Sequence, residues 1–198
     1  MKNEKEIVID GNEIFDFTKV IFEYKEANDI EFRNYEFTKE DINELKEIKQ
    51  YDRIGFNNCI FEDEKLIKNI KCNSLSLIDN RIINYEFVND MLCLERLTII
   101  GGEIDCNKLN NLQNLEYLRL SNDYIKNIEL LKLEKLKYLF IDNTNIKDLS
   151  FIRKFPYLEL LSISDNQKEN NEELLNEINN RVEIIIDSII ETDVFLDE

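Results

Sequence analysis

The 198-residue chain contains no histidine, which removes Ser–His and Cys–His dyads and every His-bearing zinc site from its possible chemistry. Its four cysteines stand at 59, 72, 93 and 106 without a CxxC pair. A metal site built of four thiolates would need all of them to meet in space, so buried core thiols are the simpler expectation. Gly101-Gly102 is a lone glycine pair rather than a phosphate-cradling loop. Carboxylates are plentiful, 42 Asp+Glu against 25 Lys+Arg, but abundance is not the fixed pairing that glycoside hydrolysis requires. What remains is the chemistry of recognition. Tyrosine, phenylalanine and arginine recur at regular intervals as Arg96, Tyr117, Arg119, Tyr138 and Phe140, the residue types that dominate protein-binding hot spots. The expectation is a non-enzymatic protein with no cofactor and no metal.

The elements that position these residues are written in the leucines. Leu115-x-x-Leu118-x-Leu120, Leu136-x-x-Leu139-x-Ile141 and Leu158-x-x-Leu161-x-Ile163 repeat one pattern. Cys72-x-x-Leu75-x-Leu77 and Leu94-x-x-Leu97-x-Ile99 match it, and Tyr51-x-x-Ile54-x-Phe56 is a degenerate copy. Six starts, at 51, 72, 94, 115, 136 and 158, follow one another every 21 or 22 residues. This is the signature of a leucine-rich repeat, in which each coil is a short strand, an inward turn and a convex return. The first, fourth and sixth positions of each coil must stack between the layers. The ninth turns inward, where an asparagine can satisfy unpaired main-chain groups. Asn80 and Asn166 fill that position, Cys59, Asp123 and Thr144 are small substitutes for it, and Gly102 has no side chain to form that bond. Apolar residues spaced at threes in the returns (Ile125, Ile128, Leu131; Ile146, Leu149, Ile152, Phe155) suit short helical or 3-10 turns.

Positions three, five and seven then face away from the core. Position three reads Arg53, Ser74, Arg96, Tyr117, Tyr138, Leu160; position five Gly55, Ser76, Thr98, Arg119, Phe140, Ser162; position seven Asn57, Ile78, Ile100, Ser121, Asp142, Ser164. Strands about 4.8 Å apart make Tyr117, Tyr138, Arg119 and Phe140 neighbours, bordered by Arg96 and Leu160, with Ile78 and Ile100 as a second apolar step. These six (Arg96, Tyr117, Arg119, Tyr138, Phe140, Leu160) are the candidate partner-binding residues. Two plainer readings stand beside this one. An aromatic ladder can simply strengthen neighbouring strands, at ~0.2–1 kcal/mol per pair, or a terminal segment can fold across the face.

Outside the repeats the composition predicts caps, which a solenoid needs at both ends. Residues 1–50 read as an N-terminal cap. Ile7-Val8-Ile9 and Ile14-Phe15-x-Phe17 flank Asp10-Gly11-Asn12, a hairpin turn signal. Val20-Ile21-Phe22-x-Tyr24 and Ile30-x-Phe32-x-x-Tyr35-x-Phe37 read as further strands. A helix follows from Thr38 to about Gln50, with Ile42, Leu45 and Ile48 on one stripe. Residues 51–168 are the repeats. Residues 169–198 form a C-terminal cap: a helix over Glu172–Arg181, a last parallel strand at Val182–Ile186, and an acidic tail that either packs as a strand or reaches a partner. The fold class is thus α/β, a leucine-rich repeat solenoid with a parallel concave sheet, short convex returns and a β-rich N-terminal cap.

The LxxLxLxxNxI spacing, with Phe155-Pro156-Tyr157-Leu158 leading into a strand, resembles the bacterial internalin-type leucine-rich repeat over about residues 51–168. That resemblance implies binding of another protein on the concave strand face. Charge refines the expected partner. Residues 1–50 carry 8 Lys+Arg against 14 Asp+Glu, residues 51–164 carry 15 against 17, and residues 165–198 carry 2 against 11. A near-neutral body with acidic ends lacks the basic stripe of a direct nucleic-acid binder, and would speed association with a basic protein. An inhibitor or immunity protein for a basic partner fits this pattern. The alternative is an acidic nucleic-acid mimic that occupies a DNA- or RNA-binding protein through Glu172, Glu173 and Glu177. The apolar run after the first residues is too short for a signal-peptide core, and nothing approaches the ~20 apolar residues of a membrane span. The expected setting is cytoplasmic, with reduced thiols and no membrane.

Overall fold

The computed structural model describes residues 7–14, 16–48 and 50–186; the expectations for the tail at 187–198 lie outside these residues. The strands, in chain order, are β1 Ile7–Asp10, β2 Asp29–Arg33, β3 Glu36–Phe37, β4 Tyr51–Asn57, β5 Ile60–Phe61, β6 Cys72–Ile78 and β7 Arg96–Ile100. They continue as β8 Glu103–Asp105, β9 Tyr117–Arg119, β10 Tyr124–Lys126, β11 Tyr138–Phe140, β12 Leu160–Ile163 and β13 Glu183–Ile186. Nine of them build one sheet in the order β1-β2-β4-β6-β7-β9-β11-β12-β13, and every pairing in it is parallel. Short 3-10 turns, such as Glu64–Asn69, Tyr85–Asp90, Cys106–Leu109 and Ser150–Lys154, carry the chain back between coils.

Register shows why the sheet holds. Ile30, Ile54, Leu75, Leu97, Leu118, Leu139 and Leu161 lie opposite one another, strand to strand. All seven are 0–2 % exposed, so a continuous apolar seam runs through the stack. No coil could hide that leucine alone; burial is shared between neighbours.

The N-terminal region differs from its sequence reading. Instead of a hairpin, β1 pairs parallel to β2 and β2 parallel to β4, so these residues form further coils of the same solenoid. Asp10 accepts from the Asn12 amide at 3.0 Å and turns the chain into a 3-10 turn rather than back on itself. The segment expected as a strand, Val20 to Tyr24, lies in and just after helix α1, Phe17–Glu23, whose N-cap Asp16 accepts from the Lys19 amide. Phe17, Val20, Ile21 and Tyr24 follow the i, i+3, i+4, i+7 rule of a helix face; β-branched composition masks that periodicity. Phe17 and Ile21 pack inward against an aromatic plug of Phe32, Phe37, Phe56 and Phe61, with neighbouring ring centroids 5.2–6.0 Å apart.

Helix α2, Lys39–Ile48, matches its expectation. Thr38 Oγ1 accepts from the Asp41 amide, while Asp41 accepts from the Thr38 amide, a reciprocal cap. At the other end the short helix α3, Asp165–Glu169, precedes α4, Glu172–Ile178, and then β13.

A second ladder explains the turns. Asn34, Asn58, Asp79, Gly101, Asn122 and Asn143 all have φ between +50° and +81°, one per coil, at the eighth position. Only glycine, and next asparagine or aspartate, tolerates that backbone cheaply. The ninth position then points inward. Asn80 accepts from the Cys59 amide and donates to the Phe56 carbonyl, both at 2.8 Å. Asn166, expected to do the same, is exposed because its coil enters α3 without the left-handed turn. Gln167 takes over: it is 1 % exposed, and its amide donates to Ile141 O, Thr144 Oγ1 and Ile146 O.

Candidate functional site: the concave face

Parallel register places all six candidate residues on one patch. Arg96 lies opposite Tyr117, Tyr117 opposite Tyr138, and Tyr138 opposite Leu160. Arg119 lies opposite Phe140 one step along. The Arg96 guanidinium sits 4.7 Å over the Tyr117 ring and that of Arg119 5.9 Å from the Phe140 ring. The Tyr117 ring lies 5.0 Å from Phe140 and 6.4 Å from Tyr138.

The patch is graded in depth. Phe140 is 2 %, Leu160 7 % and Arg119 8 % exposed, whereas Arg96, Tyr117 and Tyr138 are half-buried. The deeper three are thus a packed floor and the other three the accessible layer. Burial raises the Tyr117 hydroxyl above its ordinary value, with Arg119 and Arg96 opposing, so the phenol stays protonated at neutral pH.

Beneath the rings runs a polar chain whose members the sequence places by position without giving them a role. Arg119 Nε donates to Ser121 Oγ at 3.2 Å, Ser121 Oγ to Asp142 at 2.9 Å, and Ser162 Oγ to the same Asp142 oxygen at 3.3 Å. All four residues are buried. The clue to them is positional: they occupy positions five and seven of successive coils. Ile78 and Ile100, the expected second apolar step, are in register and each 7 % exposed. On the rim, Glu116 pairs with Lys137 at 2.8 Å and Glu159 accepts from the Tyr138 hydroxyl at 3.2 Å.

The cysteines are free; Cys59, Cys72 and Cys106 are buried and Cys93 is exposed. Burial pushes the Cys59 thiol to about 11 and that of Cys72 to about 12, which leaves little thiolate for nucleophilic work. Among the described residues no group of three or more His, Cys, Asp or Glu converges to hold a metal ion, and no helix is long and apolar enough to cross a membrane.

The arrangement defines a leucine-rich repeat solenoid with a built concave face, and solved structures share that fold. An internalin (InlF) from Listeria monocytogenes superposes over 86 % of this chain and 52 % of its own, with a TM-score of 0.62 and 19 % identity. An internalin C2 (InlC2) from the same organism covers 77 % of this chain and 70 % of its own, with a TM-score of 0.54 and 24 % identity. The TLR13 chain of a TLR13–ssRNA13 complex matches over 80 % of this chain and 26 % of its own, with a TM-score of 0.62 and 18 % identity. This chain therefore spans about half of the InlF internalin and a quarter of the TLR13 chain. No protein-family model matches the sequence, and no curated protein matches it.

Proposed function

We propose that this protein is a non-enzymatic binding module that grips a partner protein on its concave face through Arg96, Tyr117 and Tyr138, over a floor of Arg119, Phe140 and Leu160. The supporting observation is the in-register clustering of aromatic and guanidinium groups on one face of the sheet. Tyrosine and arginine bury much area at small entropic cost, which is why so few of them can dominate an interface. Acidic ends on a chain of net charge −17 would steer a partner of net positive charge, as an inhibitor or immunity protein requires.

A nucleic-acid mimic acting through Glu172, Glu173 and Glu177 is the weaker reading, because Glu177 is already paired with Arg153 at 2.6 Å. Affinity capture from the native lysate, with the wild type and Tyr138→Ala as baits, tests the assignment. Tyr138→Ala is expected to weaken capture by ~2 kcal/mol or more, the usual size of a hot-spot loss. Equal capture by both baits would move the site off this face.

A further inference from the structure

We propose that the element this face receives is an extended segment of the partner carrying a carboxylate side chain, which seats between Arg96 and Arg119 above the aromatic floor. The inference rests on the concave-face reading and adds the chemistry of the occupant.

Charge on the face is its basis. On β4, β6, β7 and β9, positions three, five and seven hold no acidic residue; their charged residues are Arg53, Arg96 and Arg119. Arg53 lies opposite Asp29 at the edge of this zone. Five cations of the coils are paired: Lys68 with Asp90, Lys108 with Glu86, Lys126 with Glu103, Lys137 with Glu116 and Arg153 with Glu177. Arg96 and Arg119 form no direct ion pair with a carboxylate among the described residues; Arg119 reaches the buried Asp142 carboxylate only through Ser121. Each is held against a ring instead, in a chain with 42 acids available.

A guanidinium lying over a ring can still present its edge N–H groups to a carboxylate as a bidentate fork; Arg119 has its Nε–H committed to Ser121 and also bonds Tyr117, so the fork falls to Arg96. Arg119 is also fixed by its bond to Ser121, so the cost of ordering it is met before a ligand arrives. Because it is 8 % exposed, a carboxylate reaching it leaves water and the attraction strengthens. The acidic ends act differently: they govern approach at long range, whereas this contact governs docking, so a partner of net positive charge can still present a glutamate or aspartate here.

Three fluorescently labelled peptides of identical apolar sequence, carrying glutamate, glutamine or lysine at alternate positions, test the proposal by anisotropy titration against the full chain. The glutamate peptide is expected to bind at least ~10-fold more tightly than the glutamine peptide, the size of one charge-assisted contact, and the lysine peptide more weakly than either. Arg96→Gln should abolish this preference while leaving the thermal melt in place, since Arg96 is half-buried and lies over the half-buried Tyr117 ring rather than within the leucine seam. Arg119→Gln should do the same; if it unfolds, Arg96→Gln alone decides. Equal affinity for all three peptides, a preference for lysine, no saturable binding, or a preference that survives Arg96→Gln would each overturn it. So would self-association of the chain that Arg96→Gln abolishes, which assigns the face to a second copy. If lysate capture still depends on Tyr138 while the peptides show no charge preference, the concave-face reading stands and the carboxylate does not.

Discussion

Asp123 occupies a position where the repeat otherwise wants an amide. Asn80, at the equivalent place, accepts from the Cys59 amide and donates to the Phe56 carbonyl. Asp123 reproduces the first bond, accepting from the Gly102 amide at 2.6 Å, but an ionised carboxylate has no proton for the second. Its other oxygen is buried without a partner, as is the Tyr85 hydroxyl, which packs so close to Gly102 that a Cβ there would lie 2.9 Å from it. Asp79, Tyr85 and Cys106 lie within electrostatic reach of Asp123. Burial pushes Asp123 up to about 7, against the two glycine amides that favour the anion, and Asp79 adds to the rise. A carboxyl raised in the folded state stabilises the fold in its protonated form. That contribution is complete below the ordinary value of 3.8 and is lost as pH climbs through about 7. Wild-type stability should therefore decline from pH 5 to pH 8, and Asp123→Asn, which restores the donor, should flatten the profile and gain ~1–3 kcal/mol at pH 8. Urea denaturation at several pH values measures both; a variant with the wild-type slope would show that another group titrates.

The elements divide by what encodes them. The strands are legible because leucine spacing is a packing requirement: Leu118 must meet Leu97 and Leu139, and only an unbroken 21–22-residue period brings them together. The concave patch is legible for the same reason, since fixing the inward positions fixes the outward ones. Its depth is not, because the burial of Phe140 and Arg119 depends on how neighbouring side chains lean. Helix α1 escapes the sequence reading where β-branched residues overlie a helical period, and Asn166 yields its role to Gln167 because one coil omits the left-handed turn. That turn ladder stands in the sequence as Asn34, Asn58, Asp79, Gly101, Asn122 and Asn143. It tests cleanly at Asn122, which is exposed with φ +59°. Asn122→Ala should cost about 1–2 kcal/mol through backbone strain, and Asn122→Gly should stay within about 0.5 kcal/mol of the wild type. Chemical denaturation of the two variants separates backbone from side chain, for equal losses would mean that the amide, not the φ, matters.

At the scale of the whole molecule, the solenoid is a row of coils in which each touches mainly its neighbours. Ion pairs such as Lys68–Asp90 and Lys126–Glu103 link adjacent returns, but they are solvent-exposed and individually weak. Coupling along the row must therefore come from the leucine seam and the sheet. Leu118 is the sharpest place to cut it: fully buried, on a three-residue strand, with Leu97 and Leu139 opposite it on either side. Leu118→Ala should cost ~2–5 kcal/mol, the usual range for a leucine cavity. How the loss spreads is the more telling quantity. If coupling is between nearest neighbours, amide exchange should accelerate most in β7, β9 and β11 and fade toward β2, where the aromatic plug holds the N-terminal coils independently. Hydrogen–deuterium exchange by mass spectrometry resolves those segments. An equal rise from β1 to β13 would mean that the nine strands open as one unit, and that the ends of the concave face cannot loosen while its centre stays formed.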